Sequence, residues 1–420
     1  MSVDRSAHPC FNKGAARHAG RIHLPVAPKC NVQCNFCNRL FDCAAENRPG
    51  VTSTNLSPSQ AIEYLGKALE IEPDIKVVGI AGPGDPFANP VETMETLRLI
   101  RERHPEIILC LSSNGLGIEP YLDELAALDV SHITITVTAI DPEVAGRIYR
   151  WVRFNRRVYH GTAAGELMVN KQLAAVRRIR ELGMICKVNF VLIPGINEDQ
   201  ALAVAEATQE AGADVFNCMP YYPVKGSAFE DLPEPDPQTV IRIRTAAGKV
   251  LPQMGHCQRC RADAAGKLGA PNSAALMEAL QSVTREANWN RSRPYIAVAS
   301  REGVLVNQHL GEAEHIQIYQ ARAEGNLYIG ARPAPEPGGG NERWDELAAL
   351  LGDCGALLVS GVGPKPKQVL LDAGIPTHIV EGPIDSALNE LLERGDLTRI
   401  VRREVSACGT GCGGSGEGCG

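Results

Sequence analysis

The chain has 420 residues, 44% of them hydrophobic, which is enough to bury more than one core. Its net charge of -7 and aromatic content of 5%, read as having no basic run and no interleaved aromatic platform, exclude a nucleic-acid partner held by phosphate contacts. The first twenty residues lack the apolar core of a signal peptide, and no apolar stretch approaches the roughly eighteen residues of a membrane span, so a cytoplasmic protein with no membrane partner is expected. In that reducing setting the fourteen cysteines read as metal ligands rather than disulfides.

Residues 1–20 form a polar extension broken by proline and glycine. Short apolar runs then alternate with helical periodicity to about residue 255, the signature of a parallel α/β sheet or barrel. The predicted strands are Ile22–Ala27, Ile75–Ala81, Ile107–Leu111, His132–Ala139, Cys186–Ile193 and Val215–Met219. A helix opens at the Ser57-Pro58 cap with Ile62, Leu65 and Leu69 on one face. Others cover about Val91–Arg103, Tyr121–Leu128, Glu166–Leu182 and Glu198–Ala211. Six strands fall short of a closed eight-stranded barrel, so a partial TIM-type (βα)6 barrel over residues 21–255 is predicted. Residues 256–292 read as a helical extension and linker carrying Cys257 and Cys260. A second, smaller α/β domain is predicted over 293–400. Its strands are Pro294–Ala299, Ile316–Gln320, Asn326–Ile329 and Ala356–Ser360, with a loop at Arg332–Gly340 and a helix at Trp344–Leu351. The Gly/Cys-rich run 401–420, with Cys408, Cys412 and Cys419, is expected to be a disordered tail.

Directly after the first predicted strand, Cys30, Cys34 and Cys37 are spaced C-x3-C-x2-C. Three thiolates on one tight loop hold three irons of a [4Fe–4S] cube, whereas full thiolate ligation needs a fourth. The open iron is left for the methionyl amino and carboxylate groups of S-adenosylmethionine (SAM), whose sulfonium then lies beside the electron source. This reads as a radical SAM enzyme. A zinc knuckle, or a closed ferredoxin-type site with Cys43 as fourth ligand, are the competing readings. A parallel barrel builds its active site at the carboxyl ends of its strands. Gly84, Asp85, Ser113, Thr136 and Ile193 stand there and are candidates for holding SAM. A plain turn, or simple β-propensity, accounts for the same residue types.

Further candidates exceed the needs of one cluster. Cys10, Cys43, Cys110, Cys257 and Cys260 join His23, which strand alternation turns away from Ile22 and Leu24 and into the barrel. Cys110 is placed near the mouth end of its strand. Six ligands suit two more clusters with three protein ligands each. An inert buried cysteine at 110, a satisfied core histidine at 23 and a zinc site at 257/260 are the alternatives. Cys186, Cys218 and Cys354 are assigned to packing.

The stretches His8–Asn12, Gly20–Cys30 and Cys37–Cys43, continuing through Ala81–Pro86 to Cys257 and Cys260, resemble the NifB family of nitrogenase-cofactor biosynthesis proteins. The second domain resembles the NifX-type cofactor-binding module, of ribonuclease-H-like fold, at Ile296–Ser300, Asn307–Ala313 and Leu357–Pro364. It departs from that pattern at Leu310, where an aromatic is expected, which counts against a stacking role there. The resemblance implies three [4Fe–4S] clusters and SAM. Two cubes docked beside the SAM-cleaving one are fused into an eight-iron cluster with a central carbide. One SAM methylates a bridging sulfide, a second yields the 5′-deoxyadenosyl radical that abstracts hydrogen from that methyl, and a further sulfur is added. His23, Cys43 and Cys110 would hold the first substrate cube, and Cys10, Cys257 and Cys260 the second. His309 is expected to help bind the product. Implied partners are iron–sulfur cluster donors, a reductant protein and downstream cofactor carriers or scaffolds. Two other functions fit the residues: a radical SAM enzyme for a peptide or small molecule with auxiliary relay clusters, and a passive cluster scaffold.

Overall fold

The computed structural model describes residues 7–12, 14–45, 55–255, 257, 260–267, 273–290, 292–322, 324–336, 342–394 and 397. The tail 401–420 and residues 1–6 of the N-terminal extension lie outside them. The chain divides into two units, 1–279 and 280–420.

In the first unit the order is β1 (Gly20–His23), β2 (Val32–Cys34), α1 (Pro58–Ile71), β3 (Ile75–Ile80), α2 (Pro90–Arg103), β4 (Ile108–Ser113), α3 (Leu122–Ala127) and β5 (Val130–Thr136). Then come α4 (Pro142–Ile148), β6 (Tyr149–Phe154), β7 (Arg157–Tyr159), α5 (Gly161–Glu181), β8 (Ile185–Leu192), α6 (Gln200–Glu210), β9 (Val215–Pro220), α7 (Pro237–Ala247), β10 (Ala265–Gly266) and α8 (Ala274–Asn288), which runs across the division into the second unit. Four of these helices begin with proline in the first turn, where its missing N–H has no intrahelical acceptor to lose. Helix α1 carries a full capping box, Ser57 Oγ accepting from Gln60 N while Gln60 Oε1 accepts from Ser57 N.

The main sheet runs β10-β1-β3-β4-β5-β8-β9. Its six consecutive strands β1 to β9 are parallel, and β10 adds an antiparallel edge on β1. This is the partial (βα)6 barrel that the six apolar runs predict. Strands β5 and β8 are buried almost throughout, polar residues such as His132, Thr134, Thr136 and Asn189 included, as expected of strands covered on both faces.

One element was not foreseen. Between β5 and α5 the chain inserts α4 and the hairpin β6–β7, which forms a separate three-stranded sheet with β2 in the order β2-β6-β7. Its two-residue turn, Asn155-Arg156, has φ 49° and 62°, the type I′ geometry that matches strand twist. The usual signal, a glycine at the second position, is missing. Helices α4 and α5 cross so closely that a Cβ on Gly165 would overlap the Pro142 carbonyl.

In the second unit β11 (Tyr295–Val298), β12 (Leu305–Val306), β13 (His315–Gln320), β14 (Leu327–Pro333), α9 (Glu342–Leu350), β15 (Cys354–Val359), α10 (Pro364–Asp372), β16 (Thr377–Ile379), β17 (Gly382–Pro383) and α11 (Ile384–Arg394) follow in order. The sheet order is β14-β13-β11-β15-β16, antiparallel from β14 to β11 and parallel from β11 to β16, as a ribonuclease-H-like domain requires. Alternation divides its core: Ile296, Val298, Ala356 and Leu358 face one side, Ala297, Leu357 and Val359 the other. β14 extends through Arg332 into the predicted loop, held by a bidentate pair to Asp353 at 2.6 and 2.7 Å. Among the described residues no helix is long and apolar enough to cross a membrane.

The α4–α5 crossing is testable. Gly165→Ala should destabilise the protein by about 1–3 kcal/mol through overpacking, whereas Gly66→Ala, in the interior of α1 with nothing within 4 Å, should gain up to about 1 kcal/mol. Thermal melts of the two variants should therefore shift in opposite directions.

Candidate functional site

The loop after β1 is fixed by the loop after β3. Gly84 N donates to Ala27 O at 2.6 Å and Asp85 N to Lys29 O at 2.8 Å. Asn89 grips Lys29 from both sides, accepting from its N–H at 3.1 Å and donating to its carbonyl at 2.9 Å. Position 84 must be glycine, because a Cβ would overlap the Lys29 carbonyl. Burial pushes the Asp85 carboxyl up, against hydrogen bonds from Asn114 N, Phe87 N and Ser113 Oγ that favour the anion. The polar atoms of Asp85 and Ser113 are thus engaged in holding loops together.

Cys30, Cys34 and Cys37 stand on the segment so fixed. Cys34 closes β2 and pairs in register with Tyr149 of β6. Gln33 Nε2 donates to the Cys37 and Cys34 carbonyls at 2.7 and 3.1 Å, and Asn114 Nδ2 reaches Cys30 Sγ at 3.8 Å. Burial pushes the Cys30 thiol up to about 12, with Asp85 adding to it, and raises Cys37. Cys34 is raised by burial and then by Cys37, Cys30 and Cys43. Three thiolates crowded in this way need compensating positive charge, which iron supplies. The donor set fits a cube held at three corners.

Thr136 ends β5, its carbonyl accepting from Gln172 Nε2 at 2.8 Å, and Ile193 follows β8 with its N–H on Asn197 Oδ1 at 2.8 Å. With Gly84, Asp85 and Ser113 they mark the carboxyl ends of four adjacent parallel strands.

A second set of side chains meets in one cavity of about 580 Å³ including its mouth, lined by Cys10, His23, Cys110, Cys257 and Cys260. Pairing across the sheet explains the convergence. His23 is opposite Gly79, and Gly79 opposite Cys110, so the histidine and the cysteine share one face with a glycine between them. A Cβ there would lie 3.4 Å from His23 Nε2 and 3.1 Å from Cys110 Sγ. Cys110 sits in the middle of β4, not at its mouth end, because the strand runs on to Ser113.

The C-x2-C pair arrives by way of β10, whose Gly266 and Ala265 pair with Arg21 and Ile22, while His23 N donates to Ala264 O at 2.8 Å. Arg21 is buried and donates to Gly266 O at 2.6 Å and to Cys260 Sγ at 3.0 Å. Cys10 comes from the N-terminal segment, where the rings of His8, Phe11 and His132 pack with centroids 4.4 to 4.8 Å apart. Burial pushes the Cys10 thiol up to about 11, opposed by Lys187 and Arg21. Cys43 does not line this cavity. Its amide donates to Pro83 O at 3.0 Å, and its charge is felt at Cys34.

The two histidines are set up differently. His23 Nδ1 must donate to the Arg261 carbonyl at 3.0 Å, which leaves the Nε2 lone pair facing Cys110 for a metal. Burial, with Arg21 nearby, lowers its pKa to about 4, so it is neutral and ligand-competent. His8 Nδ1 instead accepts from Cys10 N at 3.1 Å, so its buried Nε2 bears the hydrogen and is a donor, without a partner among the described residues. Sequence reasoning quoted His8 without giving it a role and passed over Arg21 and Lys187. Arg21 was legible, since it alternates with Ile22 onto the face of His23.

In the second unit His309 Nδ1 accepts from Gly311 N at 3.1 Å, and its ring packs on Gly361, where a Cβ would come within 2.6 Å of Cδ2. Leu310 beside it is buried. Cys186, Cys218 and Cys354 are buried in strands, where packing was assigned to them.

Residues 24–207 match the Radical SAM superfamily and residues 293–394 the Dinitrogenase iron-molybdenum cofactor family. The barrel, its cysteine loop and the first match make the chain a radical SAM enzyme, and that superfamily implies a [4Fe–4S] cluster and SAM. The FeMo cofactor biosynthesis protein NifB of Chlorobaculum tepidum is 50% identical over 423 residues, covering 100% of both chains. NifB of Klebsiella pneumoniae is 39% identical over 403 residues, covering 88% of this chain and 86% of its own. The chain belongs to the NifB family of FeMo cofactor biosynthesis proteins. Among solved structures, Streptococcus suis SuiB overlaps with a TM-score of 0.41 at 15% identity, over 55% of this chain and 47% of that one, too slight a likeness to argue from.

The neutral His23 makes the cluster-free protein acid-sensitive. Its folded pKa lies below the unfolded value of 6.5, so its contribution is complete above pH 6.5 and is lost as pH falls toward 4. The full effect is on the order of 3 kcal/mol. His23→Asn should flatten the fall in thermal midpoint over that window, and an unchanged slope would contradict the buried neutral imidazole.

Proposed function

We propose that this protein joins two [4Fe–4S] units into the eight-iron, carbide-containing precursor (NifB-co) of the nitrogenase iron-molybdenum cofactor, taking the carbide carbon from a SAM methyl group. The observation that carries the reading is the cavity: four stretches far apart in sequence bring Cys10, His23, Cys110 and the Cys257/Cys260 pair to its lining. Cubes that serve as electron relays are usually ligated by cysteine alone, whereas a neutral imidazole offers a ligand that can be exchanged when substrate becomes product.

In this reading Cys30, Cys34 and Cys37 hold the resident cube, with SAM against the loops of Gly84, Asp85, Ser113, Thr136 and Ile193. Bound there, cube and SAM supply the electron, the methyl group and the 5′-deoxyadenosyl radical. His23 and Cys110, with Cys43 from outside the cavity's lining as the third expected ligand, would hold one substrate cube, and Cys10, Cys257 and Cys260 would hold the other. Thiolate-ligated cubes are anionic, and Arg21 and Lys187 offset that charge while excluding a neutral apolar substrate. The buried Nε2–H of His8 would be available to donate to a cluster sulfide. The second domain, through His309, retains the product for hand-over to carriers. Cluster donors and a reductant complete the partners, and the setting is the cytoplasm.

Anaerobic reconstitution should load about twelve irons per chain, three cubes' worth, whereas about four would favour a radical SAM enzyme of another substrate class. Cys257→Ala with Cys260→Ala should bring the count to about eight and leave 5′-deoxyadenosine formation intact. Cys34→Ala should abolish that nucleoside, and its persistence would end the assignment of the loop. Gly79→Val places methyl groups between His23 Nε2 and Cys110 Sγ. It should lose about four irons without losing SAM cleavage, and a full complement would separate this pair from the substrate site.

A further inference from the structure

Just past the last cysteine of the C-x3-C-x2-C loop stands an arginine, Arg39. Asn38 makes the turn that carries it: Phe41 N donates to Asn38 O at 2.9 Å, and Leu40 N to Asn38 Oδ1 at 3.0 Å. The turn folds Arg39 back across the loop, where its Nη2 donates to Pro28 O at 2.6 Å. A Cβ on Gly84 would lie 2.9 Å from that same nitrogen, so glycine there makes room for the guanidinium as well as for the Lys29 carbonyl. With Cys34 and Cys37 the side chain lines a pocket of about 470 Å³ including its mouth.

Arg39 is half-buried, yet among the described residues no carboxylate pairs with it and Pro28 O is its one oxygen partner. Most of its N–H groups, and its whole charge, are left for what the cysteines hold. That charge is felt throughout the loop. Burial raises the Cys30, Cys34 and Cys37 thiols, Asp85 adds to this at Cys30, and Arg39 is the cation that opposes it at all three. Arg21 and Lys187 act instead on Cys10, in the other cavity. The cysteine loop has a cation of its own.

We propose that Arg39 sets the reduction potential of the cube held by Cys30, Cys34 and Cys37, raising it so that a buried, thiolate-held cube accepts an electron. The proposal rests on the radical SAM reading and adds the residue that makes its cube reducible. On reduction the cube gains one electron from an external low-potential donor, which is oxidised by one, and no bond or proton changes place. The reduced cube is one charge more negative, so a fixed cation stabilises it more than the oxidised cube. Burial and the three thiolates act in the opposite sense, since both penalise added negative charge. A tether to Pro28 needs only a neutral donor, and an arginine without a carboxylate brings a charge for which the tether has no use.

The test uses the cluster-loaded full chain as wild type, Arg39→Gln and Arg39→Lys. Each is titrated with dithionite against redox dyes, and the reduced cubes are followed by EPR. The resident cube's signal is the one missing from Cys34→Ala. In Arg39→Gln its equilibrium for reduction should weaken at least about tenfold, a fall of about 59 mV for one electron, with iron content unchanged. Arg39→Lys, which keeps the charge, should restore most of the potential. An unchanged potential in Arg39→Gln would overturn the proposal. So would an equal fall in both variants, which would leave Arg39 as a tether only. If Arg39→Gln retains no resident cube, Arg39→Met takes its place. Failure of both to hold a cube that Arg39→Lys holds would make the arginine a requirement for assembly and overturn a role in the potential. SAM is then added to the reduced wild type. A resident signal that it leaves unaltered counts against the radical SAM reading, while the potentials still decide the role of Arg39.

Discussion

Strand β1 is four residues long and is paired on both edges, with β3 running parallel on one side and β10 antiparallel on the other. Side chains alternate along it, so His23 lines the cavity and Arg21 reaches Cys260 at its edge, while Ile22 and Leu24 are fully buried on the other side. A slip of one residue would send an arginine and a histidine into the apolar layer and put isoleucine in front of the cysteines. Neither neighbour fixes that register alone. The parallel partner sets His23 against Gly79 and hence against Cys110. The antiparallel partner sets Arg21 against Gly266 and brings Cys260 within 3.0 Å of its guanidinium.

The electrostatics follow from the same placement. Thiols at positions 10, 30, 34 and 37 are all raised by burial, so each keeps its proton until a metal displaces it. Histidine responds in the opposite sense, since burial favours its neutral form, and this is the form that binds a metal. One carbonyl, that of Arg261, then chooses the ring nitrogen. His8, two residues from Cys10, has the other tautomer and becomes a hydrogen-bond donor. Two histidines at one cavity thus have different chemistry, decided by a single backbone partner each.

How much of this could be read from the sequence varies with the range of the interaction. The C-x3-C-x2-C loop is local, and its chemistry follows from spacing alone. The six parallel strands were legible because short runs rich in β-branched and apolar residues recur between segments of helical periodicity. The direction of His23 was legible from its two apolar neighbours. What could not be read is the pairing of β1 with β10, a two-residue strand some 245 positions away, since no local pattern encodes it. The hairpin was missed for a different reason: its turn is Asn155-Arg156 without glycine, and its arginines interrupt the apolar alternation that marks a strand. The mid-strand position of Cys110 followed from the strand running on through Ser112 and Ser113, polar residues that looked like the start of a loop.

The central claim is that carbon from SAM ends inside a metal cluster and not on an organic acceptor. The most direct measurement supplies the fully loaded, reduced protein with SAM labelled in its methyl carbon and then extracts the cluster under anaerobic conditions. The account predicts one labelled carbon per eight-iron cluster, surviving removal of the protein and released only when the cluster is destroyed. Label found in a methylated peptide or small molecule, or left in unreacted SAM while 5′-deoxyadenosine accumulates, would contradict it.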